Sequence, residues 1–341
     1  QPAAAMFFSA FALIPKPLAF MFLYSLAIGS LWLIMRMLAI MVGEPNPAVR
    51  ERIWSISIAS LILASHYIIR DLDDGGPNII LLAFAMAGIY LAWARRNAAA
   101  AGCLGAAAAL KATAGIFIPF LLWKRCWRLA AYSAAAAALW LAVPAVWMGP
   151  SSWWIHQLQW VRSAVGFALG INDAAARYYG DQNLRNQALR PVIERLMHAG
   201  PATAISGRIL SAILELVPIG TFCWLTRRPF GQHLDSRWLT ESSGLLILAT
   251  LLAPIAWVQH LVLAIPAIYL IVADWVANRN FGVTAKTAMV LYIILALLLN
   301  RVILGKARYL ALLDYHVHTV CMLLLLGVLM MRHRVPPRAT G

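Results

Sequence analysis

Apolar stretches of roughly 17–25 residues follow one another along this chain, with short basic clusters between them. That is the length a hydrocarbon layer about 30 Å thick demands of a helix. Inside lipid every backbone N–H and C=O needs a partner within the segment or within a closed barrel. Continuous apolarity, rather than an alternation with period two, selects helices. A single soluble core does not need 62% hydrophobic residues against 12% charged ones. The expected fold class is therefore all-α: a polytopic integral membrane helical bundle forming one domain over residues 1–341. Fourteen Trp and ten Tyr supply anchors for its interfaces.

The formal net charge of +15 raises the question of nucleic acid. The placement of the charge argues against it. Arg50 and Arg52, Arg95-Arg96, Lys124-Arg125 with Arg128, Arg227-Arg228, and Arg332 with Arg334 each stand at the end of an apolar run. Such caps orient helices, because Lys and Arg accumulate on the cytoplasmic side. No nucleic acid partner is expected; membrane lipids are. The cysteines Cys103, Cys126, Cys223 and Cys321 lie in or beside spans without ligand-like spacing, so neither a disulfide framework nor a metal site is indicated. No cofactor is implied.

Threading from the caps gives a topology. A short first helix over residues 2–14 is interrupted by Pro15-Lys16-Pro17, and the chain reads as cut from something longer. Residues 98–123 carry basic ends on both sides but hold only one span's worth of residues, with Lys111 in the middle. They are either a short helical hairpin or one span that violates the charge rule. An ionisable residue at that depth marks a functional position by default, the plainer alternative being a lysine that snorkels along its own stem. Residues 148–207 form the longest polar segment, a long extracytoplasmic loop with Trp153-Trp154, Trp160, Tyr178-Tyr179, Arg162, Arg177, Arg185, Arg190 and Arg195. Its basicity suits phosphate, which guanidinium groups match bidentately, or anionic headgroups. Residues 244–277 lie between two basic ends and again suggest paired short helices, turning at Ala253-Pro254. In this threading four polar clusters share one face: Asp71-Leu72-Asp73-Asp74-Gly75-Gly76-Pro77-Asn78, Asn186-Gln187-Ala188-Leu189-Arg190, Trp257-Val258-Gln259-His260, and Asp314-Tyr315-His316-Val317-His318. A lone histidine on an apolar helix is often just a packed core residue, and the pair His316 and His318 lacks a third metal ligand.

These segments resemble glycosyltransferase family 87, polyprenol-phosphate-sugar-dependent enzymes of the integral-membrane GT-C superfamily. The run Pro2-Ala3-Ala4-Ala5 ending at Leu13-Ile14-Pro15 resembles a proline-started helix of the family. Gly75-Gly76-Pro77-Asn78 resembles its Gly-Gln-x-Asn turn, with Gly76 in place of Gln. Ala101-Gly102 and the stretch from Gly105 to Lys111 resemble its Ala-Gly-rich helix ending in lysine, although no proline follows until Pro119. Asn186-Gln187-Ala188-Leu189 with Arg195 is similar to its Asn-Gln-Ser-Leu segment, Ala188 replacing Ser. Ala253-Pro254 through Trp257 to His260 is similar to its Ser-Pro-x-x-Trp-x-x-His motif.

The resemblance implies a GT-C-like membrane glycosyltransferase. It would move a sugar of mannose or arabinofuranose type from a polyprenyl-phosphate donor to a lipid or glycan acceptor hydroxyl. The enzyme would be multi-pass in the cell inner (plasma) membrane, with its active face extracytoplasmic. Beyond the cytoplasm nucleotide sugars are absent, so a lipid-borne donor is also chemically sensible. It needs an apolar groove for its tail, cations for its phosphate and a general base for the acceptor. Asp71, Asp73, Asp74 and His260 are the catalytic candidates, and Asn78, Lys111, Asn186, Gln187, Arg190, Arg195 and Trp257 the substrate-binding ones. The family's acidic base lies in a first external loop that would precede Gln1, so this chain is expected to lack it. A lipid-linked glycan ligase or polymerase using a diphosphate donor is the nearest alternative. A lipid-linked sugar transporter or flippase, which should show internal repeats, is the other.

Overall fold

A computed structural model describes residues 2–44, 47–168, 184–197, 204–231, 234–277, 282–298 and 301–334. All regular structure among them is helical. Helix α1 (Pro2–Ser9) runs into the tight turn Ala10–Leu13, and Pro15 then separates it from α2 (Lys16–Gly43). There follow α3 (Ile53–Asp73), α4 (Pro77–Trp93), α5 (Asn97–Leu110), α6 (Phe117–Trp123), α7 (Trp127–Ala142) and α8 (Pro150–Ala168). The second half holds α9 (Leu189–Leu196), α10 (Ala204–Leu225), α11 (Arg237–Leu251), α12 (Ile265–Val276), α13 (Val283–Leu298), α14 (Arg301–Leu313) and α15 (Val317–Arg334).

Among the described residues four segments are long and apolar enough to cross a membrane: Lys16–Gly43, Ile53–Asp73, Trp127–Met148 and Val258–Val276. A bent pair, Val283–Leu298 with Ile303–Leu313, makes a fifth if counted as one span. Helix α2 turns Phe20, Met21, Phe22, Ile28 and Trp32 outward while Ala27, Ile34, Leu38 and Met41 face the bundle. An exposed apolar row of this kind has lipid, not water, as its solvent. Arg36, on the same exposed side, rests its guanidinium 5.4 Å from the Trp32 ring. This is the all-α polytopic membrane bundle that the apolar runs imply.

Residues 97–123 form the hairpin, not the single span. Helix α5 stops at Lys111, whose backbone is extended (φ −147°, ψ 118°), and the chain turns back through Ala112–Ile116 into α6. Lys111 sits beside Asn78 at the start of α4. Arg95, just before α5, lies within electrostatic reach of Cys126, just after α6. Both feet of the hairpin therefore meet at the same end of the bundle. Helix α5 also packs closely on α7: a β-carbon on Gly105 would fall 2.6 Å from Cβ of Ala136. Small residues allow such backbone approach in lipid, where burial of apolar surface gives no driving force between helices.

A second hairpin consists of α11, the turn over residues 252–257, the 3-10 helix Val258–Ala264, and α12. Its feet are joined by Arg332 of α15, which donates to Asp274 on α12 and to Thr240 on α11. The first hairpin is tied to the second by Lys124, whose ammonium lies 2.7 Å from Glu241 and 2.7 Å from the Thr226 carbonyl, and which also donates to the Arg228 carbonyl. Lys124 is 1% exposed. Lys124 does stand at the end of an apolar helix, and a countercharge on a distant helix lets its ammonium be buried there.

Of residues 148–207 the structure describes 148–168, 184–197 and 204–207, and parts of these pack against the bundle. Helix α8 is stapled to the end of α7, where the Leu141 carbonyl accepts from Trp153 Nε1 at 2.8 Å and from Gln157 Nε2 at 3.2 Å. Helix ends leave such carbonyls without intrahelical partners. Trp154, Ile155, Leu158, Val161 and Val165 of α8 are exposed, an apolar face suited to a membrane boundary. Asn186, Gln187 and Ala188 are buried in the body of the protein. Arg177, Tyr178 and Tyr179 lie outside the described residues.

Candidate active site

The end of the bundle that holds Lys111 collects the polar clusters. After α3 the chain turns through Gly75 (φ 88°) and Gly76 (φ 73°) into α4, with Pro77 in its first turn. Glycine alone adopts such angles without strain. At Gly76 a β-carbon would also lie 2.5 Å from Cβ of Ala27, a steric reason for glycine at this position.

The turn lays the Asp71 carboxylate across the start of α4. Its Oδ2 accepts from the Ile79 N–H at 2.9 Å, and its Oδ1 from Asn78 Nδ2 at 2.7 Å and from the Asn78 N–H at 3.3 Å. A carboxylate here satisfies amides that the helix leaves unbonded and sits at the positive end of the helix dipole. Asn78 Oδ1 in turn accepts from Lys111 Nζ at 2.7 Å. The ammonium lies within electrostatic reach of both Asp71 and His260. His260 is stacked on Trp257, ring centroids 6.2 Å apart and planes at 15°. Its Nδ1 lies 3.3 Å from the Trp257 N–H and 3.2 Å from the Ile255 carbonyl. In either tautomer Nδ1 has a backbone partner.

Asn186 joins the second cluster to the third. Its Nδ2 donates to the Pro254 carbonyl at 3.0 Å, and its Oδ1 accepts from the Ala256 N–H at 2.9 Å and the Ala188 N–H at 3.1 Å. The Gln187 N–H donates to the Ala256 carbonyl at 2.7 Å. Gln187 also reaches the fourth cluster, donating from Nε2 to the Leu313 carbonyl at 3.2 Å, while Thr319 donates to the Gln187 carbonyl at 2.7 Å. Both side chains, chosen from sequence as substrate-binding, spend these polar atoms on holding the loops. Arg195 Nη2 donates to the Asn186 carbonyl at 2.6 Å and meets His316 Nδ1 at 3.4 Å. Arg190 faces a carboxylate instead, Glu194 at 2.9 Å.

The three aspartates of the first cluster have different fates. Asp71 is 0% exposed with both oxygens bonded. Asp73 and Asp74 are exposed, Asp73 3.4 Å from Arg70. His316 and His318, two residues apart, also part company. His318 enters a buried triplet in which the Tyr309 hydroxyl lies 2.9 Å from its Nε2 and 3.0 Å from Nε2 of His66, with the two imidazoles stacked at 5.4 Å. His66 and Tyr309 belong to no sequence motif; they are 243 residues apart in the chain and meet only in the fold. Between α1 and α8 lies a cavity of about 1060 Å³, lined by Phe7, Phe11, Trp147, Met148 and Trp160 with His156 among them.

A family model for glycosyltransferase family 87 matches residues 1–254. The chain belongs to glycosyltransferase family 87. It is a membrane glycosyltransferase. The part of this family 87 chain that the model matches includes Asp71, Asn78, Lys111, Asn186, Gln187, Arg190 and Arg195. It stops short of Trp257 and His260, which the second hairpin nevertheless brings into the field of Lys111. No curated protein and no solved structure matches the family 87 chain.

Proposed function

We propose that the protein transfers a sugar of mannose or arabinofuranose type from a polyprenyl-phosphate donor to a hydroxyl of a lipid or glycan acceptor, at the extracytoplasmic face of the plasma membrane. The observation that carries this reading is the position of Lys111: an ammonium at a helix break, 2.7 Å from Asn78 Oδ1, with Asp71 behind it and His260 in its field, at one end of a membrane bundle. When the bond from the sugar to the phosphate breaks, a diester with one negative charge becomes a monoester with about two. A cation already fixed in place stabilises that increase without reorganising. Asp71, through Asn78, fixes it. His260 Nε2 serves the acceptor hydroxyl or the departing phosphate, Arg195 is a second cation, and exposed Asp73 and Asp74 meet the acceptor at the rim. The apolar cavity between α1 and α8 suits the isoprenoid tail.

The deciding experiment offers the protein, in nanodiscs, polyprenyl-monophosphate sugars and, in parallel, diphosphate-linked ones. Transfer from the monophosphate donor is expected, reduced by about 100-fold or more in Lys111→Met, the scale of removing a charge-stabilising group. Transfer from the diphosphate donor alone, or undiminished transfer by Lys111→Met, overturns the reading.

A further inference from the structure

We propose that His316 is a positioning residue that aims the Arg195 guanidinium at the donor phosphate. The proposal rests on the donor chemistry above and adds a residue from a part of the chain that the family model does not match. Two contacts of Arg195 fall on one nitrogen, Nη2: the Asn186 carbonyl at 2.6 Å and His316 Nδ1 at 3.4 Å. A nitrogen with two hydrogens held by two acceptors fixes the plane of a guanidinium as well as its position. The Asn186 anchor is 0% exposed and bonded to the turn before His260. The plane is therefore referenced to the same turn that presents His260.

His316 is itself held in an unusual way. Its backbone adopts φ 54°, in the left-handed region that a side chain disfavours. It stays there because its N–H donates to the Leu313 carbonyl, its carbonyl accepts from the Val320 N–H, and Gln187 binds the same Leu313 carbonyl. The turn thus directs the His316 ring towards α9 and away from the triplet that His318 joins. Accepting from Arg195 requires Nδ1 to carry no hydrogen. Burial, and then the Arg195 charge, hold the His316 pKa below the ordinary imidazole value, with Asp314 pulling the other way. The ring is neutral and able to accept at neutral pH.

Two substitutions separate the ring from the backbone. His316→Gly tolerates the positive φ but removes the acceptor; His316→Asn also tolerates it and returns an amide oxygen near the place of Nδ1. The readout is equilibrium binding of a short-chain polyprenyl phosphate to each protein in nanodiscs, together with its melting temperature. His316→Gly should weaken binding by about tenfold, and His316→Asn should stay within about threefold of the parent, the scale of one hydrogen bond to a charged group. Both should melt close to the parent. Parental affinity in His316→Gly, or an affinity in His316→Asn as low as in His316→Gly, overturns the proposal. Lys111→Met, measured alongside, separates the two readings. If it loses binding while His316→Gly does not, only the positioning role falls; if it binds the polyprenyl phosphate like the parent, the donor reading falls.

Discussion

Asp71, Asp73 and Asp74 lie within one turn of chain, yet the first is a buried structural group and the other two face outward. Asp71→Ala removes three hydrogen bonds from the start of α4 and should destabilise the protein by about 1–3 kcal/mol, the cost of leaving buried donors unsatisfied. Asp73→Ala and Asp74→Ala should leave the melting temperature in nanodiscs close to that of the parent. Equal melting of all three variants would contradict the bonding seen here. His260→Ala should lower turnover by roughly 100-fold with the protein still folded, as a transfer assay alongside circular dichroism would report. Arg190 is a different matter. Its partner Glu194 lies one helical turn away, so Arg190→Ala should cost only a few tenths of a kcal/mol in α9 and act mildly on turnover, in contrast to Arg195→Ala. A collapse of turnover in Arg190→Ala alone would assign the phosphate to Arg190.

Among the elements, the two hairpins position the site, and both are held at the end away from it. Lys124 and Glu241 are buried together, with their side chains 0% and 1% exposed. Lys124→Met leaves a buried carboxylate without its ammonium and should destabilise by about 3–5 kcal/mol, whereas the double variant Lys124→Met with Glu241→Leu should recover most of that loss. Thermal denaturation of the three proteins measures this; a double variant no better than the single one would deny that the pair is coupled. Gly105 acts at the same scale. A side chain there drives α5 from α7, and Gly105→Val should cost about 1–3 kcal/mol as an overpacking change. It should also weaken binding of polyprenyl phosphate, because Lys111 stands at the end of the displaced helix. Unchanged binding would show that Lys111 does not depend on how α5 is seated.

For the whole molecule the polar groups divide between two ends. Lys111, Asn78, Asp71, His260, Asn186, Arg195 and His316 occupy one, and Lys124, Glu241, Thr240, Asp274 and Arg332 the other. Cysteines placed at exposed positions should report this, with Asp74→Cys and Tyr315→Cys labelled from the extracytoplasmic side and Arg228→Cys only from the cytoplasm. Labelling of the first two from opposite sides would break the common face.

The sequence by itself determined the helices, the membrane as their solvent and the paired short segments around Pro254, and it left the residues around Lys111 as either a hairpin or one span, because hydropathy and chain length act on each segment alone. Of the candidate site, Lys111 stood out for the same reason: a polar group in an apolar run is costly. The roles of the site residues were not legible. Only the tertiary structure decided that Asp71 serves α4 while Asp73 and Asp74 face solvent, that Lys124 is buried, and that His316 and His318 serve different partners. Each outcome depends on a countercharge or hydrogen-bond partner, Asn78 and Lys111, Glu241, Arg195 or Tyr309, that the fold brings from another element. A hydropathy pattern records what each segment needs from its solvent, and it holds no record of which other segment will supply a partner.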